Sequence, residues 1–126
     1  MELKIFQQAE QALSRIRTSP QLVEVVEGAD LVVEAVFEDL DLKRRIFADL
    51  DRLCPPHAIL ASNTSTFLPS WLAEATERPQ QVLVTHYFNP PFLVPLVEIV
   101  PGGHDERQRT GPEPFNQGPG LVRDDG

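Results

Sequence analysis

Short apolar runs alternate with helix-like segments between residues 31 and 100, and this alternation constrains the fold more than any other feature. The apolar runs are LVVEAV at 31–36, AILA at 58–61, QVLVTHY at 81–87 and PLVEIV at 95–100. Uninterrupted apolar runs of this kind are typical of strands buried on both faces, as in parallel sheets. Residues 39–53 repeat leucine and isoleucine every three or four positions, which predicts an amphipathic helix that Pro55 and Pro56 end.

The order of these segments predicts the fold class. A short helix over 69–76 follows the second apolar run, so that strands and helices alternate along the chain. Strands that alternate with helices pair in parallel, and each helix crosses over the sheet. We therefore expect an α/β fold with a parallel sheet and crossover helices. A further helix is predicted over residues 1–14, where Leu3, Phe6, Ala9 and Leu13 share one face.

Residues 101–126 differ in composition from the rest of the chain. Six of the seven glycines lie there, and the large apolar side chains are Phe115, Leu121 and Val122. A segment with so little apolar surface does not offset the conformational entropy that folding costs. We therefore expect residues 1–100 to form the folded part and residues 101–126 to be a disordered tail.

Charge and cysteine content limit the class of partner. The chain has 11 lysines and arginines against 19 aspartates and glutamates, a net charge of −8, which argues against nucleic acid and anionic membranes as partners. No apolar run approaches the ~20 residues of a membrane span. A single cysteine, Cys54, forms no internal disulfide, so we expect a cytoplasmic location. His57, His86 and His104 lack metal-site spacing, so no metal is expected.

Polar residues follow the predicted strands at their carboxyl ends. In open α/β sheets, ligands bind in the crevice beyond these ends. The residues that fall there are Glu38, the loop at 62–66 with sequence SNTST, and residues 86–89. This distribution indicates a binding site at one edge of the sheet.

His86 and Glu98 have the side-chain types that alcohol oxidation needs. An imidazole takes a proton from an alcohol near neutral pH, and a carboxylate on its other ring nitrogen fixes the tautomer and stabilises the imidazolium. Spacing alone leaves two other interpretations open. His86 is equally consistent with a structural residue at a strand end, and Glu98 with an exposed edge strand.

The remaining polar candidates also have two interpretations each. The 62–66 loop either holds a substrate carbonyl or hydroxyl or caps the next helix. Lys43 either reaches a phosphate or ribose or is solvated on a helix face, and Glu38 either binds a ribose or has no ligand. Glu34 is an unexplained polar residue within an apolar run.

Four strings occur in the order and spacing of a known family. They are VVEAVFEDLDLKRRIFADLD, ILASNTST, THYFNPP and PLVEIVPG. Over about residues 12–102 the chain resembles the 3-hydroxyacyl-CoA dehydrogenases. This resemblance implies a partial Rossmann-like domain, NAD as cofactor, and oxidation of the 3-hydroxyl of an acyl-CoA, as in fatty acid β-oxidation.

The resemblance also implies roles for individual residues. The histidine of the His-x-x-Asn-Pro turn is the general base, which corresponds to His86, and the glutamate that orients it corresponds to Glu98. Ser65 corresponds to a serine that contacts substrate and cofactor. The other implied cofactor contacts are Glu38, Lys43 and Asn89.

The chain departs from the family pattern in two places. Residues 1–100 contain one glycine, Gly28, so the G-x-G-x-x-G turn that holds the cofactor pyrophosphate is missing from them, and the sequence after residue 102 does not match. We therefore expect a fragment without the glycine-rich half, the helical domain or the family's dimer interface, and inactive in isolation. The alternatives are a dehydrogenase of a free hydroxy acid (gulonate or carnitine type), or a non-catalytic remnant or interaction module.

Overall fold

The computed structural model describes residues 2–90, 92–102 and 121–123, the last of these by backbone alone. The helices are α1 (Glu2–Ser14), α2 (Leu22–Val26), α3 (Leu40–Leu53) and α4 (Pro69–Ala73), with a 3₁₀ turn at Pro79–Gln81. The strands are β1 (Leu31–Glu34), β2 (Ile59–Ser62), β3 (Val82–Tyr87), β4 (Leu96–Pro101) and β5 (Leu121–Arg123). Each helix and strand predicted above is present, with ends that differ by a few residues.

The described strands form one mixed sheet in the order β1-β2-β3-β4-β5. Strands β1, β2 and β3 pair in parallel, and α3 and α4 provide the two crossovers between them. The predicted α/β class with parallel strands and crossover helices is confirmed for this part of the chain. Their carboxyl ends therefore lie at the same edge of the sheet, which places the predicted site residues together.

Strand β4 differs from the expectation because it pairs with β3 in antiparallel fashion. Residues 88–95 join the two strands, and the residues of this link that the structure describes, 88–90 and 92–95, are not helical. A parallel partner would need a crossover of a dozen or more residues, whereas a short link returns the chain antiparallel. One result is that His86 lies directly opposite Glu98 in the register of the two strands.

The hydrophobic core lies between the sheet and the helices α2, α3 and α4. Phe47 and Leu50 of α3 and Leu72 of α4 are buried against Leu60 of β2 and Val82 of β3. Successive side chains of a strand point to opposite faces of the sheet. The helices cover the face to which these apolar side chains point.

Both ends of α3 are fixed by hydrogen bonds. The Asp39 carboxylate accepts from the backbone N–H of Leu42 at 2.9 Å and caps the helix start. At the other end, the backbone N–H of Cys54 donates to the Leu50 carbonyl at 2.8 Å.

Burial raises the pKa of the Cys54 thiol.

Helix α1 forms as predicted, but none of its residues is buried. Leu3, Phe6 and Leu13 on its apolar face are 78%, 71% and 67% exposed. Periodicity therefore predicted the helix correctly but not its packing. None of the described helices is long and apolar enough to cross a bilayer.

Strand β4 extends to Pro101, one residue beyond the boundary predicted at residue 100, and the boundary itself stays a prediction. Within the segment expected to be disordered, residues 121–123 form β5, which pairs antiparallel with β4. The disorder predicted for the rest of that segment, residues 103–120 and 124–126, lies outside the described residues.

Candidate active site

A cavity of about 490 Å³ opens at the carboxyl ends of β1, β2 and β3. Its lining residues are Ala35, Val36, Glu38, Asn63, Ser65, His86, Tyr87 and Asn89. Four residues predicted from the sequence therefore meet there: Glu38, Ser65, His86 and Asn89. The other two, Lys43 and Glu98, do not line the cavity and are buried behind it, each with 2% exposure or less.

His86 and Glu98 lie side by side on adjacent strands. The His86 Nδ1 atom is 3.7 Å from Glu98 Oε2, which is longer than a formed hydrogen bond. The side chain of Glu98 is 2% exposed, and among the described residues its carboxylate oxygens have no hydrogen-bond partner. A carboxylate is costly to bury in this way unless it pairs, and the imidazole of His86 is the nearest ion-pair partner that the described residues provide.

The His86 side chain is 22% exposed, and it has one nitrogen toward Glu98 and a ring edge toward the cavity. Phe88 packs against the ring with centroids 5.2 Å apart. The imidazole therefore has the buried carboxyl group of Glu98 on one side and the cavity on the other. Hydrogen bonds of catalytic pairs are often long in the absence of ligand and shorten when it binds.

A second charged cluster lies behind the cavity. The Lys43 ammonium group donates to Glu34 Oε2 at 2.7 Å and to the Val36 carbonyl at 3.1 Å, and its Nζ lies 3.1 Å from Glu38 Oε1. Both Lys43 and Glu34 have side chains that are 1% exposed. Neither interpretation of Lys43 from the sequence describes this position, since its ammonium is not solvated and does not line the cavity.

Glu38 connects this cluster to the cavity. Its side chain is 44% exposed, and Oε2 accepts a hydrogen bond from the Thr64 hydroxyl at 2.8 Å. Partial burial raises the pKa of Glu38, but hydrogen bonds from Thr64, Lys43 and Thr66 and the charge of Lys43 outweigh it and lower the pKa overall. Glu38 is therefore an ionised hydrogen-bond acceptor at the cavity wall.

The side chains of the loop after β2 stabilise the turn or line the cavity, and none of them caps α4, whose N-cap residue Leu68 makes no side-chain cap hydrogen bond. Thr64 Oγ1 accepts from the backbone N–H groups of Thr66 and Phe67 at 3.1 and 3.2 Å, so this residue stabilises the turn. Asn63 Oδ1 accepts from the Tyr87 N–H at 3.3 Å and ties the ends of β2 and β3 together. Ser65 is exposed and lines the cavity.

Sequence reasoning did not assign the contacts of Glu34, Asn63 and Thr64. Glu34 had a visible signal, because a carboxylate within an apolar strand needs a partner. Asn63 and Thr64 lie in the same polar loop as Ser65. Nothing in the sequence shows that the first two make structural hydrogen bonds whereas Ser65 is exposed at the cavity. Among residues 2–90 and 92–102, no group of three or more His, Cys, Asp or Glu side chains could hold a metal ion.

Residues 2–112 match the family model of the 3-hydroxyacyl-CoA dehydrogenase NAD-binding domain, so the match begins before residue 12 and extends past residue 102, where the sequence motifs predicted that it ends. The chain belongs to the 3-hydroxyacyl-CoA dehydrogenase family. It is 51% identical over 77 residues to the peroxisomal bifunctional enzyme of Cavia porcellus, with 61% of this chain and 11% of that protein covered. It is 45% identical over 115 residues to the lambda-crystallin homolog of Bos taurus, with 91% and 34% covered.

A solved structure of 3-hydroxybutyryl-CoA dehydrogenase from Escherichia coli K12 has the same fold. The two superpose with a TM-score of 0.70 at 34% identity, over 74% of this chain and 20% of that one. The chain thus spans between about a tenth and a third of the length of these relatives.

The cofactor of the 3-hydroxyacyl-CoA dehydrogenase NAD-binding domain is NAD, and the cavity suits one end of it. An ionised acceptor, Glu38, and two exposed polar side chains, Ser65 and Asn89, line the same cavity as His86. The pyrophosphate of the cofactor binds at a G-x-G-x-x-G turn in such domains, and the sequence contains no such turn. These residues offer hydrogen-bond donors and acceptors that suit the hydroxyl and amide groups of the cofactor, and a glycine-rich site for its phosphates is not among them.

Proposed function

We propose that this chain carries the proton-transfer pair and the nicotinamide side of the cofactor site of an NAD-dependent 3-hydroxyacyl-CoA dehydrogenase. The observation that supports this most strongly is the position of His86 at the cavity wall, opposite the buried carboxylate of Glu98. A half-buried imidazole beside a buried anion is the arrangement that general-base catalysis on an alcohol requires.

Proton transfer follows from the orientation of the imidazole. Nδ1 lies toward Glu98, so in this proposal Nε2 is the nitrogen that exchanges the proton with the substrate. Nε2 takes the proton of the 3-hydroxyl, and the Glu98 carboxylate stabilises the imidazolium that forms. Bound NAD would supply the acceptor for the hydride that leaves C3, the carbon that carries this hydroxyl. In the reverse direction, the imidazolium returns the proton to the 3-keto oxygen.

Three cavity residues orient the cofactor and the substrate in this proposal. Glu38, ionised because its pKa is lowered, accepts hydrogen bonds from ribose hydroxyls. Ser65 donates to the substrate oxygen and contacts the cofactor, and Asn89 contacts the nicotinamide side. Lys43 acts indirectly, since its ammonium is held by Glu34, Glu38 and Val36.

The substrate, location and assembly are part of the proposal. An acyl-CoA is the substrate class of the family, and the net charge of −8 fits neither nucleic acid nor an anionic membrane as partner. A cytoplasmic location rests on the single cysteine, although one relative is named as peroxisomal. The dimer interface that we associate with the family's helical domain is not assigned to any residue of this chain.

The proposal is tested by transferring residues 12–102 into an intact relative such as the Escherichia coli enzyme, in place of the matching region. We expect the chimaera to oxidise 3-hydroxybutyryl-CoA with NAD. His86→Gln in the chimaera should then lower kcat by about 10²–10⁴-fold, the usual contribution of a general base.

The matched control is His57→Gln. His57 is exposed and pairs with Asp30 at 2.7 Å, away from the cavity lining, so kcat should be unchanged. A chimaera that turns over substrate at the same rate with and without His86 would remove this residue from the mechanism. Turnover of a free hydroxy acid in preference to the acyl-CoA would instead support a dehydrogenase of free hydroxy acids.

A further inference from the structure

Glu34 is a buried carboxylate at the end of β1, and both of its oxygens accept hydrogen bonds. Oε2 accepts from the Lys43 ammonium at 2.7 Å and from the Val36 backbone N–H at 2.8 Å. Oε1 accepts from the Ser62 hydroxyl at 2.7 Å. This one side chain therefore joins the end of β1, the first turns of α3 and the end of β2.

Lys43 is held as completely as Glu34. An ammonium group has three N–H donors, and the surrounding oxygens of Glu34, Val36 and Glu38 lie at 2.7, 3.1 and 3.1 Å. The lysine is 1% exposed, so no donor is left for a ligand in the cavity. Two of these partners line the cavity, the Val36 carbonyl and the Glu38 carboxylate, and Glu38 is the charged one.

The charges of the cluster do not balance. Two carboxylates, Glu34 and Glu38, share one ammonium group, and Glu38 is the partner that reaches solvent. The electrostatic attraction between Lys43 and Glu38 therefore depends on how much of the ammonium charge Glu34 neutralises. Buried ion pairs of this kind are weak sources of stability, because desolvation offsets most of their attraction. A role in placing Glu38 accounts for the cluster better than stability does.

We propose that Glu34 is a positioning residue, whose buried carboxylate fixes the Lys43 ammonium and through it the orientation of Glu38 at the cavity. The value of this arrangement for catalysis rests on the cofactor role proposed above for Glu38. The arrangement itself is a property of the protein without ligand, so it is tested without NAD and fails or succeeds independently of that role.

The first test observes the two lysines of the chain, Lys4 and Lys43, by ¹⁵N NMR of the ammonium groups. Lys4 lies on exposed α1 and is the internal control. We expect the Lys43 ammonium protons to exchange with water more slowly than those of Lys4 by about tenfold or more, an opening free energy of about 1.4 kcal/mol. Equal exchange rates would overturn the proposal.

The second test is Glu34→Gln, followed by carboxyl ¹³C NMR titration of Glu38. The charged groups that face Glu38 are Lys43 of α3 and, through it, Glu34 of β1, with uncharged Thr64 on the loop after β2. Removing the Glu34 charge leaves the whole ammonium charge acting on Glu38. We therefore expect the pKa of Glu38 to fall below its wild-type value, and an unchanged or higher pKa would refute the coupling.

A control and a reserve variant complete the experiment. Glu74→Gln removes an exposed carboxylate that pairs with Arg44 at 2.8 Å, and it should leave Glu38 unchanged. If Glu34→Gln does not fold, the double variant Glu34→Met, Lys43→Met is measured instead. Replacing both members of a buried pair by apolar residues usually preserves the fold. In the double variant the pKa of Glu38 should rise above the wild-type value; no rise would contradict the proposal.

Discussion

Charged residues that the fold buries divide into two kinds, those whose hydrogen bonds are complete and those whose hydrogen bonds are not. Arg78 belongs to the first kind. It donates to the Asp51 carboxylate and to the carbonyls of Asp51 and Pro55, each at 2.7 Å. Glu98 belongs to the second kind, since its oxygens have no hydrogen-bond partner among the described residues. The contacts of Arg78, which are all to groups outside the cavity lining, indicate a structural role, whereas the unmet hydrogen bonds of Glu98 beside His86 make it a candidate for chemistry.

Arg78→Ala should destabilise the fold by about 3 kcal/mol, because it leaves the partly buried Asp51 carboxylate and two carbonyls without their donor. Urea unfolding followed by circular dichroism measures the loss. Arg52→Ala is the matched control, since the pair of Arg52 with Asp49 is exposed and such pairs contribute about 0–1 kcal/mol. Equal losses in the two variants would contradict a structural role specific to Arg78.

Glu38 should make the stability of the fold depend on pH. Its pKa is lowered in the folded state, so its ionised form stabilises the fold at pH values above its ordinary pKa of 4.5. This contribution is lost as the pH falls from about 4.5 through the lower folded value. We expect Glu38→Gln to be less stable than the wild type at pH 7 and equal to it at the acidic end. A difference that stays constant with pH would show that charge is not the cause.

At the scale of elements, α1 and α3 differ in packing although both are amphipathic. Phe47 and Leu50 of α3 are 1% exposed or less, whereas α1 has no buried residue. Helices of about 12–15 residues are marginal in water without tertiary contacts. The two helices have a similar apolar periodicity, so the difference in their stability comes from the contacts that α3 makes with the core and α1 does not.

Amide hydrogen exchange should separate these two helices. We expect the amides of α1 to exchange nearly as fast as in an unstructured peptide, and those of α3 to be protected by the full unfolding free energy. Mass spectrometry of peptides from 2–14 and 40–53 measures the difference. Equal protection of the two peptides would mean that α1 is covered by a partner, such as a second copy of the chain.

At the scale of the whole molecule, the sheet has an open edge at β1. Leu31 and Val33 of this strand are 52% and 41% exposed, and Ile59 on β2 is 40% exposed. Exposed apolar edges favour association with other strands. The described part of the chain therefore contains the candidate active site and, at β1, an apolar sheet edge that no other described strand covers.

The 126-residue chain alone should bind NADH weakly. Contacts from Glu38, Ser65 and Asn89 contribute about 0.5–1.5 kcal/mol each, whereas association costs about 4–15 kcal/mol. The glycine-rich turn that holds the pyrophosphate in the family is not in this sequence. Titration with NADH, followed by nicotinamide fluorescence, should show no saturation below about 1 mM. A dissociation constant under about 100 μM would require another anion site.

Much of the fold and of the site could be predicted because their signals are local. The periodicity of residues 40–53 and the apolar runs of β1 to β4 are set by residues within a few positions of one another. The order of strands and helices then places the strand ends, and with them Glu38, Ser65 and His86, at one edge of the sheet. The motifs around His86 and Glu98 indicated the family before any geometry was known.

The sequence by itself therefore determined the α/β class, the elements and the family, because each depends on contiguous residues or on their order. Only the tertiary structure decided that β4 runs antiparallel, that α1 is uncovered, and that Lys43 is buried. The contacts of Glu34 show the reason, since its partners Lys43 and Ser62 are 9 and 28 residues away along the chain. Which charges pair over such separations depends on how helices and strands pack, and no local pattern contains that information.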